Sequence, residues 1–302
     1  MKTSTFFVAG MSLAFALACG GEPVPETVQV TGEVAEAAPV QAAAPPTKSR
    51  RQGRSRGGMP NAQVAGAIEG IQVQDGVIVD VLPSSSGGVS PAVVYVHGGG
   101  WSTGRRTMDG WLHERLVAEG YTVVTVDYRL APEHPYPAGV DDVRDTVDWL
   151  VDNAGKYSVD PKRIAVLGPS AGGHLAMMAG LHDESKVAAV VSLFGPSDLS
   201  LPEYKESHPK MWDFLQSTPP AEASPINLVS KGDPPVLMQL GTEDAKIPVR
   251  DNEAMDKALR AAGVDTTLTL YQGAPHGLHN DPTYQEQSVT EVLGFLAKHL
   301  DG

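Results

Sequence analysis

The stretch that decides the fold is Arg163–His174, R-I-A-V-L-G-P-S-A-G-G-H. Ile164–Leu167 is a short apolar run typical of a buried strand, and the small residues of Ala171–Gly180 favour a helix. Gly168 and Gly172 remove side chains where a sharp strand-to-helix turn would crowd them, and Ser170 stands at the apex of that turn. The pattern predicts a nucleophile elbow, in which a serine hydroxyl projects above a sheet beside helix N–H groups. The alternative is a serine in an ordinary tight turn.

The composition of the 302-residue chain is that of a globular protein, with 41% hydrophobic and 20% charged residues. At this length the chain can hold one large α/β domain with extra segments, or two small domains. A formal net charge of −13 and the lack of any RNA- or DNA-binding motif argue against nucleic acid as a partner. Cys19 is the only cysteine, which excludes an intramolecular disulfide and a cysteine-based zinc site.

Residues 1–19 have the features of an export signal. Lys2 precedes Phe6–Ala18, an apolar run shorter than the ~20 residues that span a bilayer. Cys19 then stands where bacterial lipoproteins are cleaved and acylated, so the segment resembles a lipobox, although Ala16 replaces the leucine usual there. We predict a cell-envelope lipoprotein lipidated at Cys19, whose contact with a membrane is through that anchor alone. The alternatives are ordinary signal cleavage, which gives a secreted or periplasmic protein, and a buried helix.

Residues 20–60 are a predicted linker, rich in Pro and Ala and basic near its end, which cannot bury enough apolar surface to fold. Residues 61–302 are the predicted folded domain. Beyond residue 59, 17 Lys and Arg oppose 32 Asp and Glu, so this part carries a charge near −15. From about 197 to 234 the regular pattern lapses into Pro, Ser and scattered aromatics. This insertion is a predicted small lid above the carboxyl ends of the strands.

Strands alternate with helices through the predicted domain. Gly76–Leu82 predicts an edge strand, and continuous apolar runs predict core strands at 92–96, 122–126, 187–194, 235–240 and 267–271. Helical patterns cover 111–120, 138–153, 249–262 and 287–300. The alternation predicts an α/β fold with a mostly parallel central sheet covered by helices on both faces.

Four motifs of the chain resemble those of the α/β-hydrolase fold. They are His97–Trp101 (H-G-G-G-W), Gly168–Gly172, Gly241–Asp244 (G-T-E-D) and His276-Gly277. The first is similar to the HGGG motif of the esterase/lipase branch. The absence of a helical N-terminal cap, and the run from Ser224 to Pro235, are more similar to compact acetyl-xylan and feruloyl esterases than to relatives of hormone-sensitive lipase. The resemblance covers about residue 70 to the end and implies a serine carboxylesterase.

The residues themselves agree with a Ser–His–Asp triad. A serine hydroxyl is a weak nucleophile near neutral pH and needs a base that a carboxylate orients. We predict Ser170 as the nucleophile, Asp244 as the carboxylate and His276 as the base, in the Ser…Asp…His order of this fold. Asp244 and His276 each follow a predicted strand, which brings them to the same sheet edge as Ser170.

Several residues compete for these roles. Glu243 and Asp251 are the other candidate carboxylates, but the G-T-x-D pattern favours Asp244; His279 is the other candidate base, but a loop tip suits His276 better. His174 is expected to pack in the core, and His97 to brace the glycine loop. The remaining histidines lack companions at metal-ligand spacing and are expected to be surface or structural residues: His113, His134, His182, His208 and His299. No metal or cofactor is expected.

The oxyanion hole is predicted from backbone amides. One donor is the amide of Ala171, and the others come from Gly98, Gly99 and Gly100, of which the resemblance implies the last two. Trp101 follows these glycines directly, so we expect its indole at the rim of the acyl pocket. The insertion contributes a cluster at 211–215, whose simplest interpretation is a lid packed on its own apolar face.

The predicted function is the hydrolysis of short-acyl esters through an acyl-enzyme, with acetylated carbohydrate among the candidate substrates. Three alternatives stay open: an arylformamidase-like small-amide hydrolase, a serine peptidase, and a non-catalytic surface-binding lipoprotein on a hydrolase scaffold. The absence of a large gating domain argues against the peptidase. The presence of all three triad residues argues against the binding protein. The sequence leaves the oligomeric state and the natural substrate open.

Overall fold

A computed structural model describes residues 64–301. The predicted signal segment with Cys19, and the predicted linker, lie outside these residues. The described strands are β1 Ile68–Gln74, β2 Val77–Leu82, β3 Ser90–Val96, β4 Thr122–Asp127, β5 Val159–Pro169, β6 Ala189–Leu193, β7 Val236–Gly241 and β8 Thr266–Tyr271. The helices are α1 Gly110–Ala118, α2 Ala138–Asp152, α3 Ala171–Gly180, α4 Tyr204–Ser207, α5 Met211–Leu215, α6 Val249–Ala262 and α7 Gln285–Leu300. None of these helices is long and apolar enough to cross a membrane.

The strands form one sheet in the order β1-β2-β4-β3-β5-β6-β7-β8. β2 is antiparallel to β1 and β4, and every other neighbouring pair is parallel. The predicted α/β fold with a mostly parallel sheet is therefore confirmed. The prediction of an edge strand at Gly76–Leu82 is wrong, because β2 pairs on both sides. The edge is β1, which alternates polar and apolar residues (I-E-G-I-Q-V-Q) and is largely exposed.

The centre of the sheet is covered on both faces. All seven residues of β3 are buried, as are all residues of β6 and β7. Helix α3 contacts β3, β5 and β6, and α7 contacts β5, β6 and β7. Burial on both faces explains why these strands are continuous apolar runs rather than alternating patterns.

Parallel strands place the functional segments at one edge of the sheet. The glycine loop follows β3, Ser170 follows β5, and Phe194 follows β6. Asp244 follows β7 and His276 follows β8. Because the carboxyl ends of parallel strands meet at the same edge, these five segments converge where such folds bind their ligands.

The insertion at about 197–234 consists of α4, α5 and two 3₁₀ turns, Pro220–Ala223 and Pro225–Asn227. Met211, Phe214 and Leu215 are buried within the main hydrophobic core, whereas Trp212 is 42% exposed. The carbonyl of Phe214 also accepts a hydrogen bond from the Tyr136 amide at 2.7 Å. The apolar face of α5 therefore packs on the domain rather than on the insertion alone.

Candidate active site

Ser170 occupies a strained turn between β5 and α3. Its φ of 54° and ψ of −121° are rare for a residue with a side chain, and this is the backbone conformation that exposes a hydroxyl at a nucleophile elbow. Gly168 and Gly172 make the turn possible, since a Cβ on either would lie within 2.5 Å of the Val96 carbonyl oxygen. The Ser170 amide donates to the Leu193 carbonyl at 2.8 Å, which ties the turn to β6.

Ser170, His276 and Asp244 are joined by two hydrogen bonds. Ser170 Oγ lies 3.0 Å from His276 Nε2, and His276 Nδ1 lies 2.8 Å from Asp244 Oδ2. The second oxygen of Asp244 accepts from the amides of Lys246 at 2.8 Å and Ile247 at 3.0 Å. An ionised carboxylate only accepts, so Nδ1 carries the imidazole proton and Nε2 is left to accept the serine proton. The structure thus brings together the three residues that the sequence selected for the triad.

The competing residues lie apart from this chain of hydrogen bonds. Glu243 is exposed. Asp251 is buried and accepts from Ser197 and from the Tyr204 hydroxyl. His279 Nε2 lies 3.4 Å from Asp109 Oδ1 rather than near Asp244.

The glycine loop after β3 faces Ser170. Gly98, Gly99 and Gly100 line the same cavity as the serine, and φ is 131° at Gly99 and 62° at Gly100. In residues 64–301 no hydrogen bond has the amide of Gly99, Gly100 or Ala171 as its donor. These amides are among the donors that the sequence assigned to the oxyanion hole, and they are left to donate to a ligand.

His97 braces the glycine loop from below. Its Nδ1 lies 2.8 Å from the Gly98 carbonyl oxygen, and its ring stacks on Tyr128 at 4.3 Å. The Tyr128 hydroxyl in turn donates to the His97 carbonyl at 3.1 Å. A Cβ on Gly104 would lie 2.2 Å from His97 Nδ1, so the chain passes against the ring where only glycine fits.

The cavity over Ser170 has a volume of about 460 Å³. Its walls come from the glycine loop, from the loops after β5, β6, β7 and β8, and from the insertion. Besides the residues already described, the insertion and the loop after β7 contribute polar side chains. These are Ser207, His208, Lys210 and Lys246.

Trp101 is not among the residues that line this cavity, contrary to the prediction. Its side chain is 1% exposed and stacks on Phe214 with ring centroids 4.9 Å apart. Its indole nitrogen donates to His174 Nδ1 at 3.2 Å. The positive φ of Trp101, 58°, turns the side chain from the ligand face into the core. Trp101 therefore supports the glycine loop from behind.

His174 completes this buried support. Its Nδ1 accepts from the Trp101 indole, so the proton must lie on Nε2, which donates to the Ala223 carbonyl at 2.7 Å. Burial lowers the pKa of His174 to about 4. Position 174 is thus a neutral core histidine that links α3 to the insertion, in agreement with its predicted packing role.

Sequence reasoning missed some wall residues. Lys210 and Lys246 were not singled out, and His208 was assigned to the surface or structural group although it lines the cavity. The proximity of Lys246 to Asp244 in sequence was the one available signal, since it places the lysine on the same loop. Across residues 64–301 no three His, Cys, Asp or Glu side chains are placed to hold a metal ion.

The sheet order, the strained serine between β5 and α3, and the Ser…Asp…His order define the α/β-hydrolase class. Comparison with protein families agrees with this class. The chain belongs to the BD-FAE family, whose model matches residues 80–259. The predicted family is thereby confirmed.

Relatives of known name are esterases, in agreement with the predicted enzyme class, the carboxylic ester hydrolases. The chain is 38% identical over 216 residues to Carboxylesterase NlhH of Mycobacterium tuberculosis, across 63% of this chain and 67% of that protein. It is 33% identical over 217 residues to Esterase LipC of the same organism, across 62% of this chain and 53% of that protein. The matched part therefore spans about half to two thirds of these relatives.

Solved structures show the same fold. A truncated carbohydrate esterase from gut microbiota superposes with a TM-score of 0.69 at 23% identity, over 79% of this chain and 98% of that one. The propionate-bound Est2 esterase of Thermogutta terrifontis superposes with a TM-score of 0.68 at 23% identity, over 78% and 95%.

Proposed function

We propose that the protein is a serine carboxylesterase that hydrolyses short-acyl esters through an acyl-enzyme, with acetylated carbohydrate among its candidate substrates. The observation that carries the proposal is the continuous chain of hydrogen bonds from Ser170 through His276 to Asp244. Ser170 and His276 line a cavity open to ligands, beside backbone amides that have no acceptor among the described residues.

Each residue has a defined part in the proposed reaction. Ser170 Oγ attacks the ester carbonyl while His276 Nε2 takes its proton, and Asp244 stabilises the imidazolium that forms. The amides of Gly99, Gly100 and Ala171 bind the oxyanion, where losing one such donor typically costs roughly 10²–10³ in rate. His276 then protonates the leaving alcohol and later activates the water that hydrolyses the acyl-enzyme.

The preference for short acyl groups follows from the space behind the glycine loop. Trp101 and Phe214 fill that space with stacked rings, both buried. An additional CH₂ contributes up to ~0.8 kcal/mol only when it is buried. We expect kcat/KM to peak at acetyl to butyryl esters and to fall steeply by octanoyl. Rising rates through decanoyl esters would indicate a lipase instead.

The test is turnover of p-nitrophenyl esters and acetylated xylan by the wild-type chain and by Ser170→Ala. The variant should lose esterase activity and keep the wild-type melting temperature, because the hydroxyl contributes one hydrogen bond at a partly exposed position. Retained turnover by Ser170→Ala would move the nucleophile elsewhere. Faster hydrolysis of formanilides than of acetyl esters would favour the arylformamidase alternative.

We also propose that Cys19 is lipidated and that the following segment tethers the domain to the cell envelope. The proposal rests on the lipobox-like sequence alone. A flexible chain of forty residues has a mean reach of roughly 35 Å, enough to hold a domain off a membrane. Cys19→Ala should move the protein to the soluble fraction. A soluble wild-type protein without lipid by mass spectrometry would contradict the anchor.

A further inference from the structure

The cavity over Ser170 carries positive charge although the chain is acidic. Lys210 and Lys246 both line the cavity, and both are exposed to solvent. Neither forms an ion pair with a carboxylate of residues 64–301, whereas Lys186 pairs with Asp148 on another surface. Two lysines therefore line the cavity without a protein counter-charge in the described part of the chain.

The one carboxylate among the lining residues is already engaged. Asp109 accepts from the Tyr95 hydroxyl at 2.6 Å and from Asn280 Nδ2 at 3.1 Å, and it lies 3.4 Å from His279 Nε2. Burial alone would raise the pKa of Asp109, but the hydrogen bonds from its neighbours hold it well below the usual range. The negative charge of Asp109 is thus stabilised by Tyr95, Asn280 and His279, and Asp109 forms no ion pair with Lys210 or Lys246.

The two lysines approach the reaction centre from different elements. Lys210 immediately precedes α5, and its stem packs on the glycine loop: a Cβ on Gly100 would lie 3.4 Å from Lys210 Cδ. Lys246 lies two residues past Asp244, and its amide donates to that carboxylate at 2.8 Å. Lys210 thus lies against the glycine loop of the oxyanion hole, and Lys246 lies beside the triad carboxylate. From these two positions the lysine side chains can reach a substituent on a bound ester.

His208 does not offset or add to this charge near neutral pH. Burial lowers its pKa to about 4, and the neighbouring charge of Lys246 acts in the same direction. With His208 neutral, Lys210 and Lys246 remain as the two lysines of the cavity wall, and no arginine of the described residues lines it.

We propose that this cavity selects esters that carry a carboxylate, with Lys210 and Lys246 binding the anionic group. The proposal rests on the esterase function proposed above, because it names the substrate class of the same site. A neutral ester gains nothing from the two ammonium groups. An anionic ester is attracted into a concave site, where walls of low dielectric strengthen the field of the lysines. The carboxylate can belong to the acyl part or to the alcohol part.

Two pairs of substrates test the proposal and distinguish these positions. Mono-(4-nitrophenyl) adipate and its methyl ester differ in charge on the acyl side. 4-Acetoxybenzoate and its methyl ester differ in charge on the alcohol side. The measured quantity is the ratio of kcat/KM for the anionic member to that for the neutral member. Comparing this ratio between variants cancels the different leaving-group reactivities within a pair.

The variants are Lys210→Met, Lys246→Met and the double variant, with Lys205→Met as the control. Lys205 is exposed in the same insertion but does not line the cavity. In at least one pair we expect each cavity substitution to lower the ratio roughly two- to fivefold, and the double variant to lower it further. Added salt should lower the wild-type ratio, because the Debye length falls from about 10 Å at 0.1 M to about 3 Å at 1 M. Lys205→Met should leave it unchanged.

An unchanged ratio in both pairs for the double variant would overturn the proposal. If the wild-type protein still hydrolyses the neutral methyl esters and Ser170→Ala does not, the esterase function stands and only the substrate class is wrong. If neither member of either pair is hydrolysed, the esterase function fails with it. Retention of the wild-type ratio by the double variant Lys210→Arg, Lys246→Arg would support binding by charge.

Discussion

Asp244 determines which nitrogen of His276 carries the proton. Its side chain is buried, and two backbone amides hold the oxygen that does not face the histidine. A carboxylate at this position can only accept, which leaves Nε2 free to take the proton from Ser170. Catalysis therefore depends on the chemical character of position 244 as well as on its geometry.

We expect Asp244→Asn to lower kcat/KM by about 10³–10⁴-fold, because an amide NH₂ facing Nδ1 stabilises the wrong tautomer of His276. Glu243→Gln is the matched control. It removes the neighbouring, exposed carboxylate and should leave ester hydrolysis unchanged. Steady-state kinetics on p-nitrophenyl acetate measures both. Equal losses in the two variants would show that general charge near the site matters rather than the identity of Asp244.

Short sequence motifs made the triad residues predictable. No such motif indicated the direction of the Trp101 side chain. Ser170, Asp244 and His276 each stand in a short pattern at a strand end, and parallel strands bring such ends together. The direction of the Trp101 side chain depends on its positive φ and on Phe214, a partner 113 residues further along the chain. Neither the positive φ nor the contact with Phe214 can be predicted from the residues next to Trp101 in the sequence.

Helix α5 attaches the insertion to the domain through one face. Phe214 is 2% exposed and stacks on Trp101, while Trp212 on the same helix is 42% exposed. We expect Phe214→Ala to lower the free energy of unfolding by about 3–5 kcal/mol, because it leaves a cavity in the core. Trp212→Ala should change the free energy by no more than about 0.5 kcal/mol. Urea denaturation of both variants measures the difference, and similar changes in the two variants would contradict attachment of α5 through the Phe214 face alone.

Continuous apolar runs in the sequence predicted the core strands. The predicted helices at 138–153 and 249–262 correspond to α2 and α6, and the predicted strand at 187–194 contains β6. β1 was missed, because its alternating polar residues leave it exposed and only its pairing with β2 makes it a strand. The insertion was predicted because the regular strand and helix pattern lapses there. Its attachment through Phe214 could not be predicted, because it depends on contacts between residues far apart in the sequence.

The whole molecule should lose stability in acid through its buried neutral histidines. Burial lowers the pKa of His174 from 6.5 to about 4. Between these values the unfolded chain binds a proton that the folded chain excludes, so the free energy of unfolding falls as pH falls. The contribution is about 1.4 kcal/mol per pH unit within that window, and it vanishes above pH 6.5.

His174→Gln isolates this contribution. A glutamine amide can accept from Trp101 and donate to the Ala223 carbonyl, but it does not titrate. We expect the difference in unfolding free energy between pH 7.5 and pH 5 to be smaller in the variant than in the wild-type protein. Identical pH dependence in the two proteins would mean that other groups cause the acid sensitivity.

The central claim, that Ser170 is the nucleophile of a triad, is tested most directly by labelling with a fluorophosphonate. Intact-mass and peptide mass spectrometry locate the adduct, and residual turnover of p-nitrophenyl acetate is followed in the same samples. We predict one adduct per chain, on the peptide containing Ser170, with activity lost in proportion to labelling and no adduct on Ser170→Ala. Full activity after complete labelling, or an adduct on a different residue, would contradict the account.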